Sequence, residues 1–502
     1  RWAGQATPDY SSGVMGLLEY VSLRADYMEK LPWGKLELPK LFSIVTDLGG
    51  YGLGSGYGTH HCNKAIIEAE ARTLRQLGVN SLRAVPQFLI EQMKRKQGIG
   101  SDFARGRIVQ IGGYPVVPKP RQKSEDLEAG CPFASKVPDL TRTAVAKALE
   151  EMSTAGTPEV WGLTVDEIGV VFDQANDGKA HVERCPLCRA EFVKLLKRNG
   201  ITPAELGKTG WSDVQPFIVS PKSTDQSWMQ KSGMPLTAYY TRRFIAESSA
   251  AMFTPLRQAV AAANQEKSKN ASAADCVTRP FMYTYALRGN TFLIAGHSLD
   301  FFDFYRRSDN GFVYETSNRD PRIHQWDSYL CDVGRVMSAE QGLAFGIYVK
   351  PHRGAVIQRA ISAISRGATM LFWYTYGPDY SKGDCFSSSL PQLELTSKAA
   401  HLIARAEAPL YGAKWARPAR IGIVKPNTTE IWLSLMQKDP VWTASWENAK
   451  WVYSALAHEH LSVDPLDEGI LENRDLSSYQ VLYVHGPNLR RTAAVKLAQW
   501  VN

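Results

Sequence analysis

Strand and helix signals alternate along this chain in the order expected of a (β/α)8 TIM barrel followed by part of a doubly wound α/β unit. Three observations carry that expectation. The run Val160-Trp161-Gly162-Leu163-Thr164-Val165 is β-branched and apolar and ends in two adjacent acids, Asp166 and Glu167; a parallel barrel strand reads as such a run, and barrel enzymes place their chemistry where strands end. Eight strand and helix alternations follow one another over about 380 residues, too long for most open sheets. A second, shorter alternation begins near Arg417.

In order, residues 1–40 mix Gly, Pro and aromatics around a helical patch at 16–29 and read as an arm. Residues 41–47 form a first strand ending in Asp47. The glycine-dense stretch 48–56 lacks the Lys-Ser/Thr ending of a P-loop, so it reads as an active-site rim rather than a phosphate cradle. Ile66, Ile67, Ala71, Leu74 and Leu77 have helical spacing, stop at Gly78 and feed a strand at 79–85. A third strand is expected at 107–112, then a long excursion at 114–138 of the kind that forms functional rims. A helix at 141–153 precedes the strand at Val160.

After a helical insertion at 185–265, strands are expected at 277–285, 299–305, 343–349 and 369–376, the last preceded by a helix at 355–366 with its stop at Gly367. The run 312–315 competes with 343–349 for a place in the barrel. Beyond Arg417, strands are expected at 419–424, 461–463 and, buried, at 480–484, with helices at 446–459 and 492–501. Such a sheet is incomplete at Asn502, so the natural terminus is expected beyond it. The boundaries are an arm at 1–40, a barrel with insertions at 41–416 and an α/β unit at 417–502.

Composition narrows the partners. Hydrophobic residues make up 44% of the 502, enough for a large core. The net charge of +8 is spread over 58 basic and 50 acidic residues with no long basic block, which gives no support to a nucleic-acid or membrane partner. A sugar or another neutral small substrate fits better, and 10% aromatic content suits pyranose stacking as well as a core. No apolar run reaches the roughly 18 to 20 residues of a membrane span. The chain opens on Arg1 without a secretory signal, which leaves periplasmic, extracellular and cytoplasmic locations open. Seven cysteines are too few for a disulfide scaffold.

Several residues are candidates by position. Arg83, Tyr285, His297 and Trp373 lie at strand ends where they would face the barrel mouth, with donors for hydroxyls and an indole face for a ring; packing is the alternative for each. Cys185 and Cys188, with His181 four residues earlier, have zinc-ligand spacing, and Cys131 could supply a fourth ligand. The alternative is a pair of reduced structural cysteines. His60, His61 and Cys62 read as rim residues, since adjacent side chains rarely converge on one metal.

Gly162…Asp166-Glu167-Ile168-Gly169, then Cys185-Pro186-Leu187-Cys188, then Trp211-Ser212 stand in an order that resembles glycoside hydrolase family 42. These are β-galactosidases with a (β/α)8 barrel and an α/β trimerisation domain. The resemblance continues at Arg366-Gly367-Ala368-Thr369-Met370-Leu371-Phe372-Trp373 and in the terminal unit, and is missing from 1–40 and 110–140. It implies that Glu167 is the general acid/base and that the terminal unit is flavodoxin-like or glutamine-amidotransferase-like. It also implies a homotrimer, glycoside or oligosaccharide substrates and no cofactor in catalysis. A structural zinc cluster is often present in the family, with an extra cysteine in this region that is missing here.

Two positions depart from the pattern. Asp166 stands where the family has an Asn that donates to the sugar 2-hydroxyl, and an ionised Asp can only accept. Two adjacent carboxylates tend to raise one pKa, which would suit an acid protonated near neutral pH. The family nucleophile is a Glu ending the seventh strand, but the run 343–350 ends in Lys350. The nearest candidate is Glu315, whose alternative is a surface partner for Arg319; Asp300 and Asp303 are the fallbacks.

Three functions follow: a retaining exo-acting β-glycosidase using Glu167 and Glu315, a carbohydrate-binding pseudoenzyme that has lost its nucleophile, and a metal-dependent hydrolase using His60, His61 and Asp47.

Overall fold

The computed structural model describes residues 13–47, 64–83, 87–110, 179–219, 225–251, 325–341, 345–351, 354–374, 386–413, 418–436 and 444–502, the strands at 159–163, 279–283 and 313–315, and shorter pieces that include Cys131, Phe302, Asp303, Arg306 and Tyr376. Helix α1 (Gly13–Glu29) places Leu17, Val21, Ala25 and Met28 on one buried stripe, because positions three and four apart share a helix face. Arg24 on this helix is fully buried and pairs with Glu70 at 2.6 Å, and the Tyr376 hydroxyl donates to the same carboxylate. The arm is thus tied to the barrel wall.

The barrel then runs through β1 (Ser43–Asp47), α2 (Lys64–Gln76), β2 (Ser81–Arg83), α3 (Gln87–Arg95), β3 (Gly106–Gln110) and β4 (Glu159–Leu163). Helix α2 buries Ile66, Ile67, Ala71 and Leu74 as their spacing requires. Its exit at Gly78 has φ +72, and a Cβ there would lie 2.6 Å from Ala400 Cβ, so only glycine allows both the left-handed turn and the close approach. The insertion after β4 contains α4 (His181–Arg184), α5 (Pro186–Arg198) and α6 (Met234–Ala251). Then come β5 (Arg279–Tyr283), β6 (Val313–Glu315), α7 (Gln325–Gln341), β7 (Phe345–Val349), α8 (Val356–Ser365), β8 (Ala368–Trp373) and α9 (Leu390–Leu410).

The eight strands are all parallel, in the order β5-β4-β3-β2-β1-β8-β7-β6, and β5 approaches β6 to complete the ring. Both 313–315 and 345–349 are therefore barrel strands, and the competition expected between them does not arise. The strand expected at 299–305 is corrected: Phe302, Asp303 and Arg306 are helical. Phe302 is buried while Asp303 and Arg306 line one polar crevice, a division by three-residue spacing that alternation does not produce.

A second parallel sheet, ordered β10-β9-β11, is built from β9 (Ile421–Lys425), α10 (Asn427–Met436), α11 (Ala444–His458), β10 (Val463–Asp467), α12 (Glu468–Asn473), β11 (Val481–Val484) and α13 (Arg491–Val501). Pro465 lies within β10, which is tolerated because β10 is an edge strand. The expectation that 480–484 is a buried strand is corrected: β11 is the opposite edge, with Val481 41% and Tyr483 39% exposed.

Asp332 of α7 joins the two sheets. It accepts from Arg335 at 2.8 Å, Arg366 at 3.2 Å and the Tyr453 hydroxyl of α11 at 2.5 Å. Arg335 also reaches Asp464 of β10 at 2.7 Å.

Candidate active site and metal centre

The C-terminal ends of β1–β8 define one face of the barrel. Along β7 and β8, Ile347, Val349, Leu371 and Trp373 belong to the core packed beneath the helices. Alternation sends the residues between them to the interior. There Tyr348, Phe372 and Tyr374 stack, with ring centroids 4.6 Å apart for Tyr348 and Phe372 and 5.1 Å for Tyr348 and Tyr374. Lys350, 3% exposed, holds its Nζ 5.1 Å from the Tyr374 ring centroid. The interior near the mouth is thus aromatic, with a buried cation at the end of the seventh strand.

Glu315 is the last residue of β6 and pairs in register with Tyr348. Asp47 and Arg83 are the last residues of β1 and β2 and pair with each other. These expected positions fall at strand ends, as a barrel site requires. Asp166 and Glu167 follow the end of β4 but, like Tyr285, His297, Asp300, His60 and His61, lie outside the described residues. Trp373 is corrected. Its side chain is fully buried and its indole N–H donates to the Leu77 carbonyl at 3.0 Å, so it packs outward against the end of α2 and offers no open face to a ring. Asp303 lines a crevice with residues of the insertion after β4 and of the terminal unit.

Lys350, Tyr348 and Tyr374 were not among the candidates. Their signal was in the alternation of Gly346-Ile347-Tyr348-Val349-Lys350, which separates Tyr348 and Lys350 from the buried outer face of Ile347 and Val349.

A second constellation lies in the insertion. Cys131, His181, Cys185 and Cys188 are all buried, with one ligand atom from each lying within 4.8 Å of the others. His181 opens α4, Cys185 precedes α5 and Cys188 lies in its first turn, so one helical turn brings the last two to one side. The Sγ atoms of Cys131 and Cys188 are 3.7 Å apart, too far for a disulfide. A tetrahedral zinc with sulfur bonds near 2.3 Å sets sulfur edges of about 3.8 Å.

The donor set fits that ion in number and chemistry, and the buried His181 Nε2 makes no hydrogen bond to the described residues. Hydrogen bonds from Cys131 and Cys188 hold the Cys185 thiol far below its ordinary pKa, and Cys131 is pushed up to about 12 by the same contact. Phe133, two residues after Cys131, and Phe192, four residues after Cys188, pack against Phe244, with centroids 5.9 and 5.6 Å away.

No family model matches the chain, and no curated protein matches its sequence. Solved structures do share its architecture. A GH42 β-galactosidase from G. stearothermophilus superposes with a TM-score of 0.60 at 12% identity, covering 93% of this chain and 71% of that one. The polyextremophilic β-galactosidase of the Antarctic haloarchaeon Halorubrum lacusprofundi gives 0.59 at 14% identity, covering 91% and 71%. A β-galactosidase from Bacillus circulans sp. alkalophilus gives 0.56 at 14%, covering 88% and 67%. The chain thus has the TIM-barrel fold seen in those β-galactosidases, and the resemblance drawn from its motifs extends over about nine tenths of its length in structure.

Proposed function

We propose that the chain is a glycoside hydrolase, a retaining exo-acting β-glycosidase of the β-galactosidase type that acts on glycosides or oligosaccharides. The supporting observation is the position of Glu315: it ends a barrel strand in register with Tyr348, whose ring belongs to an aromatic cluster suited to a pyranose. In this reading Glu167 protonates the glycosidic oxygen while the Glu315 carboxylate attacks the anomeric carbon, so that the bond to the leaving group breaks as the glycosyl ester forms. Glu167 then takes a proton from the water that hydrolyses the ester. Asp166 accepts from the sugar 2-hydroxyl. No cofactor enters either step.

Lys350 favours one alternative, a carbohydrate-binding pseudoenzyme, because a cation ends the strand on which the resemblance expects the nucleophile. Hydrolysis of a panel of aryl β-glycosides separates the two. Turnover of at least one sugar supports the enzyme, and a blank panel with retained sugar binding supports the alternative.

The four-residue cluster is read as a structural zinc site, with Cys131, His181, Cys185 and Cys188 as ligands that tie the segment after β3 to the insertion after β4. The terminal unit, residues 417–502, is read as a flavodoxin-like trimerisation domain, supported by the exposed Val481 and Tyr483 of its edge strand. A closed trimer is the expected assembly, and light scattering of the full-length protein that finds monomer alone at micromolar concentration contradicts it.

A further inference from the structure

A cavity of about 330 Å³ lies between α5 and α6 of the barrel insertion and the C-terminal ends of β9 and β10. In doubly wound sheets ligands bind outside the carboxyl ends of the strands, so this is where the second sheet would hold one. Three observations specify its chemistry.

The phosphate position is already filled. Glu468 accepts from the Thr428 amide and hydroxyl, each at 3.0 Å, at the start of α10, so an internal carboxylate takes the helix N-terminus that an anion would use. The lining guanidinium groups are matched by carboxylates. Arg306 pairs with Asp467, bonding Oδ2 at 2.9 Å, Arg243 with Glu247 at 2.7 Å and Arg490 with Glu472 at 3.2 Å. The walls therefore offer fixed acceptors from five carboxylates and fixed donors from four guanidinium groups, beside apolar surface from Tyr239, Ala246 and Ile431. Hydroxyl groups, which donate and accept, are the ligand groups that suit such walls.

We propose that this crevice binds a neutral polyhydroxylated small molecule, a single sugar ring or a short polyol, at a site separate from the barrel mouth. Its volume is at the small end of the roughly 300–1,000 Å³ range of small-molecule sites, which suits one ring rather than an oligosaccharide. Carboxylates hold the ring hydroxyls as acceptors and guanidinium edges hold them as donors. The ion pairs already hold these side chains in place, so little ordering cost opposes binding.

Hydrogen–deuterium exchange of the full chain tests this directly, with D-galactose, D-glucose and inorganic phosphate as the probes. Either sugar is expected to slow exchange of amides in peptides covering 427–431 and 467–473, about twofold when its concentration equals Kd, and phosphate is expected to leave them unchanged. Asn473→Trp, which places a ring at the mouth of the crevice, should abolish the protection without changing aryl glycoside turnover. Glu472→Gln, which keeps the shape and removes one acceptor charge, should weaken it. Protection confined to barrel peptides, protection by phosphate, or protection that survives Asn473→Trp overturns the proposal. Because the readout is local to these peptides, it stands or falls independently of whether the barrel hydrolyses glycosides.

Discussion

Glu315 and Tyr348 are register partners on adjacent barrel strands, the first ending β6 and the second near the end of β7. On the proposed reading the second carboxylate therefore stands one strand earlier than the resemblance to family 42 implies. Lys350 stands where the seventh strand would have carried it, with its ammonium over Tyr374.

Glu167→Gln should leave the fold intact and reduce turnover by about 10²–10⁴-fold, because the amide keeps the shape but has no acidic proton for the departing oxygen. The loss should shrink for aryl glycosides with good leaving groups. Steady-state rates across a leaving-group series check this, and an equal loss for good and poor leaving groups removes Glu167 from the acid role.

The cluster of Cys131, His181, Cys185 and Cys188 should carry one zinc per chain. Native mass spectrometry and elemental analysis check the stoichiometry. Cys188→Ser should lose the metal and lower the melting temperature, while basal glycoside turnover measured below that temperature persists, because none of the four ligands comes from a strand end at the barrel mouth. Loss of activity with the metal and without unfolding would contradict a purely structural role for the cluster.

Asp332→Asn should loosen the seam between the two sheets. The carboxylate is 3% exposed and serves Arg335, Arg366 and Tyr453. Removing its charge takes the carboxylate from the partly buried Arg366 and leaves Arg335 with Asp464 alone, at a cost of up to about 3–5 kcal/mol. Denaturant unfolding followed by far-UV circular dichroism should show this as a shifted midpoint or an early separate transition for the terminal unit. A midpoint within error of the parent contradicts it.

Much of the barrel was legible because its strands and helices carry the two periodicities cleanly. Ile66 to Leu74 gave α2, and the all-apolar β7 and β8 gave buried strands. Where the pattern broke, the reading broke with it. The stretch at 299–305 is rich in Phe and imitates a strand, although Asp303 and Arg306 lie one helical turn apart on a polar wall. Pro465 hid most of β10, since a proline argues against a strand unless the strand is known to be an edge. Trp373 was read as a sugar platform because residue type and strand end agreed, but which side of a strand faces the barrel is set by register with its neighbours. The metal cluster shows the reverse case. Cys185-Pro186-Leu187-Cys188 was visible as spacing, while the arrival of Cys131 from fifty-odd residues upstream depends on tertiary packing that no local pattern encodes.

The central claim is that Glu315 is the nucleophile, and chemical rescue tests it most directly. Glu315→Gly should abolish hydrolysis of an aryl β-glycoside, and added azide should restore release of the aryl group, because the small anion occupies the vacated face and attacks the anomeric carbon. The account predicts a glycosyl azide of inverted configuration, since one displacement replaces two. A variant that keeps near-normal activity, or one that stays dead with azide and forms no glycosyl azide, contradicts it.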